Sequence, residues 1–211
     1  MGDGRAQGRH AGLTRERVLR AAVRLADEGG PAALSMRKLA RELNVEAMTL
    51  YHHVRNKQAL EDALVEHVLT ESFRMPDPEA APPWDQLLTE YALSLHRGLT
   101  AHPGAVPLFA SRPALTERTM TEMEKLLRVL NDAGFAPRTA LHLAYAVAGV
   151  VIGQHLTRSE APAPPVDLPP GELPLLAEAL GEGPATLDAR LEFSLDALIA
   201  GARVRLDGAG E

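Results

Sequence analysis

The stretch from Val45 to Lys57, VEAMTLYHHVRNK, sets an unusual group of side chains between two ordinary helical segments. Methionine, threonine, tyrosine and two histidines lie within six consecutive positions. Only Val45, Leu50 and Val54 have the spacing of a face that turns toward a core. A short helix with so few core contacts leaves its other side uncovered, and that side is available to a binding partner.

Capping residues divide the surrounding sequence into short helices. Thr14 is a suitable N-cap for a first helix, which ends at residues 29–31, Gly-Gly-Pro. Ser35 caps the second helix, Asn44 ends it, and Asn56 caps the helix that follows the quoted stretch. The second helix has apolar residues at i, i+3, i+4 and i+7, the narrow stripe of a helix that faces a core: Met36, Leu39, Ala40 and Leu43.

Three short helices in about 45 residues, the second and third joined by a tight turn, are typical of a helix-turn-helix DNA-binding domain. The last of the three is expected to lie in the major groove. A threonine methyl or a methionine there can contact a thymine methyl, and tyrosine or histidine can donate to phosphates or base edges. Lys57 adds a phosphate contact at the start of the next helix, and Arg37 can form two hydrogen bonds with a guanine edge.

Each of these residues also has an ordinary structural interpretation. Tyr51 could simply close the small core beneath the third helix. Arg37 and Lys57, taken one at a time, would be solvated surface charges. Adjacent histidines point about 100° apart on a helix, so the pair His52-His53 does not predict a metal site.

Charge is divided unevenly along the chain. The net charge is -6, yet residues 1–60 hold 11 Lys and Arg against 6 Asp and Glu, and the remaining 151 residues hold 11 against 22. Such an asymmetry indicates that the basic end contacts a polyanion while the acidic end does not, although random surface variation is the alternative.

Composition narrows the class of protein further. The absence of cysteine excludes disulfide scaffolds, thiolate zinc sites and cysteine nucleophiles, and it fits a reducing compartment. The first dozen residues do not resemble an export signal. The longest apolar run, residues 140–153, falls short of the roughly twenty residues that cross a bilayer and is predicted to be a buried helix. We therefore expect a cytoplasmic protein with no membrane partner.

The predicted fold is all-α, because no segment alternates apolar and polar residues for long. A flexible arm at 1–12 precedes a helix-turn-helix DNA-binding domain at 13–58, whose connecting helix covers 56–73. A larger α-helical ligand-binding and dimerisation domain follows at 74–211, after a proline-rich break. Its helices are predicted at 84–101, 104–110, 113–134, 137–158 and 185–205, with a short helix at 172–181 beside the proline-rich loop 161–174.

Residues 13–73 resemble the DNA-binding domain of the tetracycline-repressor (TetR) family. The most specific part is T-L-Y-x-H-V-x-N-K within LNVEAMTLYHHVRNKQALEDAL, residues 43–64. Ala47, Met48 and His52 depart from the glutamine, proline and tryptophan of the family's founding repressor, so the operator sequence does not carry over. The resemblance implies that the DNA-contacting positions are Arg37, Ala47, Met48, Thr49, Tyr51, His52, His53 and Lys57.

A weaker resemblance to the regulatory domain of the same family covers residues 90 to 205, including the motifs at 111–113 and 131–135. It implies a drug or metabolite receptor, and a homodimer in which two helices pair with their twofold mates in a four-helix bundle. Small residues one turn apart allow such close approach, although both stripes could instead serve the chain's own core. The predicted dimer-interface residues are Ala144, Ala148, Gly149, Gly153, Leu191, Leu195, Leu198 and Ala202.

An effector cavity is expected among the helices 84–101, 113–134 and 137–158. A mostly apolar pocket with few polar groups favours a hydrophobic or amphipathic small molecule. The key histidines of the founding repressor are missing, so the resemblance predicts no tetracycline-magnesium site, and neither a metal nor a cofactor is expected. The candidate ligand-binding residues, each of which could also be plain core or surface, are Tyr91, His96, Phe109, Met120, Met123, His142 and Tyr145.

Together these patterns predict a ligand-responsive DNA-binding regulator, a repressor that binds a palindromic operator as a homodimer and is released by a small-molecule effector. The alternative is an all-α small-molecule-binding or interaction protein without specific DNA binding. An enzyme is not predicted, since the sequence has no Gly-rich phosphate loop, serine nucleophile elbow or HExxH metal motif.

Overall fold

The computed structural model of the protein describes residues 13–72, 74–77, 80, 82–112, 116–157, 173–181 and 186–208. Among these residues no strand occurs, and the predicted all-α fold is confirmed. The α-helices are α1 (Arg15–Ala33), α2 (Met36–Glu42), α3 (Ala47–Leu50), α4 (Lys57–Ser72), α5 (Trp84–Ala101), α6 (Val106–Ser111), α7 (Glu117–Asp132), α8 (Pro137–Leu156), α9 (Pro174–Gly181) and α10 (Leu187–Asp207).

The predicted caps of the first helices are confirmed. The side-chain oxygens of Thr14, Ser35 and Asn56 each accept a hydrogen bond from the amide three residues further along, at 3.2, 3.2 and 2.7 Å. Asn44 has φ 53° and so adopts the left-handed conformation that follows α2. Local capping chemistry therefore sets the lengths of these short helices.

The glycines near the end of α1 interrupt the helix as predicted. Gly29 and Gly30 leave helical geometry, with Gly30 at φ 67°, and one further turn runs from Pro31 to Ala33. A glycine is suited to this position because other residues rarely adopt a positive φ.

The later helices lie close to their predicted positions. α5 matches its predicted bounds, and α10 extends to Asp207, beyond the predicted end at residue 205. α7 begins at Glu117 rather than at 113. The predicted arm at 1–12 and residues 161–172 of the predicted proline-rich loop lie outside the described residues.

Contacts group the chain into two compact units. The first combines residues up to 74 with 98–122, and the second combines 75–97 with the residues from 123 onward. Within the first unit, Asp27 of α1 accepts a hydrogen bond from the Gly104 amide at 3.1 Å, and its other oxygen lies 3.0 Å from His102 Nδ1. The sequence predicts one domain boundary near residue 74, whereas residues 98–122 group with the residues before that boundary. The contacts of Asp27 with His102 and Gly104 join positions more than seventy residues apart, so no local pattern indicates them.

α8 and α10 pack together within the second unit. The Gln154 side-chain amide donates to the Arg190 carbonyl and to the Ser194 hydroxyl, both at 3.0 Å. The apolar residues buried along the two helices are Ala140, Ala144, Val147, Val151, Leu191, Leu195, Ile199 and Ala202.

The predicted buried helix, α8, is covered on one face only. At 20 residues it is longer than its apolar run, and it is the one helix among the described residues that by length and composition could cross a membrane. A core helix of a soluble protein passes the same test. Large apolar side chains on the other face of α8, including Tyr145 and Leu156, are exposed in the single chain.

An ion pair fastens the start of α5 to α10 within the second unit. Arg203 donates a hydrogen bond to the Asp85 carboxylate, and the Gln86 amide donates to the same group at 2.9 Å. The Arg203 hydrogen bond lowers the pKa of Asp85, while partial burial acts in the opposite direction.

Replacing Gly104 by alanine is expected to destabilise the first unit, because a Cβ at this position would overlap the Ala26 carbonyl, which is backbone and cannot rotate away. Overpacking of this kind costs about 1–3 kcal/mol. We expect Tm in a thermal melt to fall by about 2–12 °C. The control is Gly201→Ala, where nothing lies within 4 Å of the new methyl group. Equal melting temperatures for the two variants would contradict the overlap.

Replacing Asp85 by asparagine is expected to remove a pH-dependent contribution to stability. The folded pKa is lowered, so the contribution is complete above the unfolded pKa of about 3.9 and is lost as pH falls through the folded value. At pH 7 the loss should be about 0.2–1 kcal/mol, since the pair is partly solvated. Urea unfolding at several pH values between 7 and the acid range measures it, with the more exposed Glu124→Gln as control. A wild-type-to-variant difference that does not shrink on acidification would contradict this assignment.

Candidate nucleic-acid interface and effector residues

The quoted stretch forms one helical turn followed by a tight turn. α3 covers only residues 47–50, and the amides of His53 and Val54 both donate to the Leu50 carbonyl at 2.9 Å. These hydrogen bonds keep the backbone ordered beyond the short helix. The side chains of residues 51–53 therefore have defined directions.

Two apolar side chains hold this segment on its core. Leu50 is fully buried and Val54 nearly so, as predicted, while Val45 is only half-buried. By contrast, Met48 is 70% exposed and Tyr51 is 44% exposed. Tyr51 does not seal the core beneath the helix.

The other predicted DNA-contacting residues are also at least partly accessible. Arg37 at the start of α2, His52 and Lys57 are exposed. Arg55 is exposed as well, although it is absent from the predicted set. Its only sequence signal is a positive charge between the third helix and α4. The half-buried members of the predicted set are Ala47, Thr49 and His53.

Lys57 is linked to the end of α6 through charged residues of α4. Its Nζ lies 3.5 Å from Glu61 Oε1, and Arg112 Nη2 lies 2.5 Å from Glu61 Oε2. Arg112 Nη1 also donates to Asp62 at 2.8 Å. Burial lowers the pKa of Arg112, but the hydrogen bond to Asp62 and the charges of both carboxylates outweigh it and raise the pKa above its usual value. All four residues belong to the first unit.

Some effector candidates of the second unit lie near one another. Burial raises the pKa of Tyr91 to about 12, and the neighbouring Tyr145 contributes in the same direction. His96 Nδ1 lies 3.1 Å from Nε2 of the buried His155, and His96 Nε2 lies 3.0 Å from Asp188 Oδ1. Polar groups from α5, α8 and α10 therefore meet in this unit.

The full predicted effector set does not form one cluster within either unit. Phe109, which is buried, and Met120, which is exposed, belong to the first unit. Met123 is half-buried, and His142 is exposed on α8 in the second unit. Among the described residues, no group of three or more His, Cys, Asp or Glu is placed to hold a metal ion.

Half of the predicted dimer-interface residues are covered by the chain's own helices. The periodicity of the sequence identified an apolar stripe on α8 and on α10. It did not show which face of each helix packs against the rest of the same chain. The residues buried within the single chain are Ala144, Leu191, Leu195 and Ala202. Ala148, Gly153 and Leu198 are half-buried and Gly149 is exposed. Large apolar residues outside the predicted set are exposed on α8 and α10: Tyr145, Leu156, Phe193 and Val204.

Comparison with known proteins agrees with this arrangement. Residues 18–64 match the family described as bacterial regulatory proteins, tetR family, and residues 75–206 match the tetracyclin repressor-like C-terminal domain. The chain belongs to the TetR family. Like its relatives, this TetR protein is a ligand-responsive, DNA-binding transcriptional repressor, and the matches give no support to a binding protein without DNA function.

Individual TetR proteins are similar over most of the chain. The tetracycline repressor protein class D of Escherichia coli is 38% identical over 175 residues, which cover 81% of this chain and 79% of that protein. ActR of Streptomyces coelicolor, solved in complex with actinorhodin, has a TM-score of 0.78 at 30% identity, with coverage of 95% and 100%. A single-residue variant of TetR from Acinetobacter baumannii AYE, solved in complex with minocycline, has a TM-score of 0.69 at 32% identity, with coverage of 92% and 99%.

Replacing Tyr51 by alanine is expected to abolish operator binding while leaving the oligomeric state unchanged, because it removes an exposed ring without touching Leu50 or Val54. Each lost base or phosphate contact costs about 1–3 kcal/mol, and a twofold operator would lose it twice. Gel shifts on DNA fragments selected with the wild-type protein measure the affinity, and light scattering measures the mass. Arg128→Ala, which truncates an exposed side chain of α7 outside the predicted sites, is the control. Unchanged affinity of the Tyr51 variant would refute the role of this side chain.

Proposed function

We propose that this TetR-family repressor binds a palindromic operator as a homodimer and leaves it when an amphipathic small molecule binds. In this proposal residues 13–58 read DNA, the helix at 56–73 connects, and residues 74–211 receive the effector and dimerise. The observation that carries the proposal is the uncovered side of the third helix, with Met48 and Tyr51 exposed above the buried Leu50 and Val54.

In this proposal, apolar and hydrogen-bonding side chains make different contacts with DNA. Met48 and the Thr49 methyl supply apolar contacts to thymine methyl groups, and Tyr51, His52 and His53 donate to base edges or phosphates. Three more residues flank this face: Ala47 at the start of α3, Arg37 at the start of α2 and Lys57 at the start of α4. Lys57 is half-exposed and capped into α4 by Asn56, so its charge adds to the positive end of that helix.

A homodimer supplies what one short helix lacks. One helical turn in one half-site gives little affinity, and a twofold pair matches two half-sites. Exposed apolar side chains on α8 and α10 support a second copy of the chain as the partner that covers this surface. Without a partner, Tyr145, Phe193 and Val204 would face water. Ala148, Gly149, Gly153 and Leu198 remain the predicted close contacts, since none of them is fully buried in one chain.

The effector we propose is a polycyclic molecule with polar edges. Support comes from the similar structures solved with actinorhodin and with minocycline. Tyr91 and the His96–His155 pair offer hydroxyl and imidazole groups for such edges. A tetracycline-magnesium complex is not the expected effector, and the protein is expected to act in the cytoplasm, where its DNA target lies.

Binding to DNA is expected to depend steeply on salt. Each phosphate contact contributes about -0.9 to the slope of log affinity against log salt concentration, so a dimer with two contacts per half-site should show a slope of about -4. Fluorescence anisotropy on fragments selected from the upstream region of the gene measures the slope. A scrambled fragment of equal length is the control. Equal affinity for both fragments at every salt concentration would contradict operator recognition.

Release by an effector follows from preferential binding to the form that does not fit DNA. Actinorhodin is the first probe, and minocycline with Mg²⁺ is the comparison. We expect actinorhodin to raise Tm and to reduce operator binding, since a ligand that binds the folded state stabilises it by mass action. The absence of a thermal shift with both molecules would contradict the proposed effector class, and a shift with minocycline and Mg²⁺ would contradict the expectation that a tetracycline-magnesium complex is not the effector.

A further inference from the structure

Glu61 is a nearly buried carboxylate with two cationic neighbours. The Glu61 side chain is 10% exposed and lies near the start of α4. A buried charge is costly unless it is paired and hydrogen-bonded. Glu61 must therefore keep a cation, and both Lys57 and Arg112 are within reach of it.

The distances show which cation holds Glu61. Arg112 Nη2 lies 2.5 Å from Glu61 Oε2, and Arg112 Nη1 donates to Asp62 Oδ1 at 2.8 Å. The planar guanidinium therefore bridges two consecutive carboxylates. Lys57 Nζ lies 3.5 Å from Glu61 Oε1, which is longer than a normal charged hydrogen bond, and the Lys57 side chain is 49% exposed. Arg112 satisfies the buried charge, and Lys57 stays only loosely attached.

We propose that Arg112 is a positioning residue that keeps Lys57 available to DNA by occupying Glu61. If Arg112 withdraws, Lys57 is the cation that remains beside Glu61 among the described residues. Glu61 then holds Lys57, and each half-site loses a phosphate contact. The proposal rests on the proposed phosphate contact of Lys57 and deepens it, because it names a point at which that contact is regulated. Arg112 directly follows α6, with its amide bonded to the Leu108 carbonyl at 2.9 Å, so a change at the end of α6 would move it.

Competition for one carboxylate makes a specific prediction about combined variants. Arg112→Gln should lower operator affinity about tenfold and make the salt slope shallower by about two per dimer, one phosphate contact in each half-site. Combining Arg112→Gln with Glu61→Gln should restore the affinity and the salt slope, since a neutral amide does not hold Lys57. Lys57→Gln should reproduce the loss, and Arg112→Gln should add nothing to it.

The measurement is fluorescence anisotropy on the selected operator across a salt series, with the full-length protein and with Tm recorded for each variant. Arg128→Gln is the control, because it also removes an arginine from an ion pair, the exposed one that Arg128 forms with Glu124 at 3.1 Å within α7. Its affinity and slope should equal those of the wild type.

Two further variants keep the test decisive if Arg112→Gln does not fold. Arg112→Lys leaves a positive charge beside Glu61 and should keep nearly wild-type affinity. Glu61→Gln alone frees Lys57 entirely and should bind at least as tightly as the wild type, with no loss of slope. A weakened Glu61→Gln protein that melts at the wild-type temperature would overturn the proposal.

The outcomes separate this inference from the function on which it rests. If Lys57→Gln weakens binding but Arg112→Gln does not, the competition is refuted and the phosphate contact stands. If Arg112→Gln weakens binding and Glu61→Gln does not restore it, Arg112 acts through another route and the proposal fails. If Lys57→Gln has no effect, the phosphate contact and the regulation built on it are both refuted.

Discussion

Burial of Leu50 and Val54 is the interaction on which the proposed DNA-binding face depends. A one-turn helix has almost no stability of its own, since helix formation in water requires a longer segment. α3 therefore exists because these two side chains attach it to the core of the first unit and because its turn is closed by hydrogen bonds to the Leu50 carbonyl. Every residue proposed to contact DNA from this segment takes its direction from that attachment.

Much of the fold was predictable because its signals are local. A cap is a side chain and an amide three residues away, so Thr14, Ser35 and Asn56 could be assigned from sequence alone. The breaks at the Gly-rich and Pro-rich stretches are local in the same way. The exposed face of α3 followed from counting its few apolar positions, and Leu50 and Val54 are buried as that count requires.

The parts that could not be predicted depend on contacts between distant positions. Arg112 meets Asp62 across fifty residues, and no periodic pattern indicates such a pair. The dimer prediction met a related difficulty: α8 is apolar on most sides, so periodicity alone could not separate the face that packs on α10 from the face that remains open. Ala144 and Leu195, which the dimer prediction included, are buried within the single chain, whereas Tyr145 and Phe193, which it did not include, are exposed.

The separation between anchoring and reading positions has a consequence for how this repressor can diversify. Ala47, Met48 and His52 depart from the family's founding repressor, yet Leu50 and Val54 beneath them are apolar and buried. Substitutions on the outer side of α3 therefore need not destabilise the domain. A set of variants altered only at those three positions would share one scaffold and one sensor while addressing different promoters, which is the property that independent switches within a single cell require.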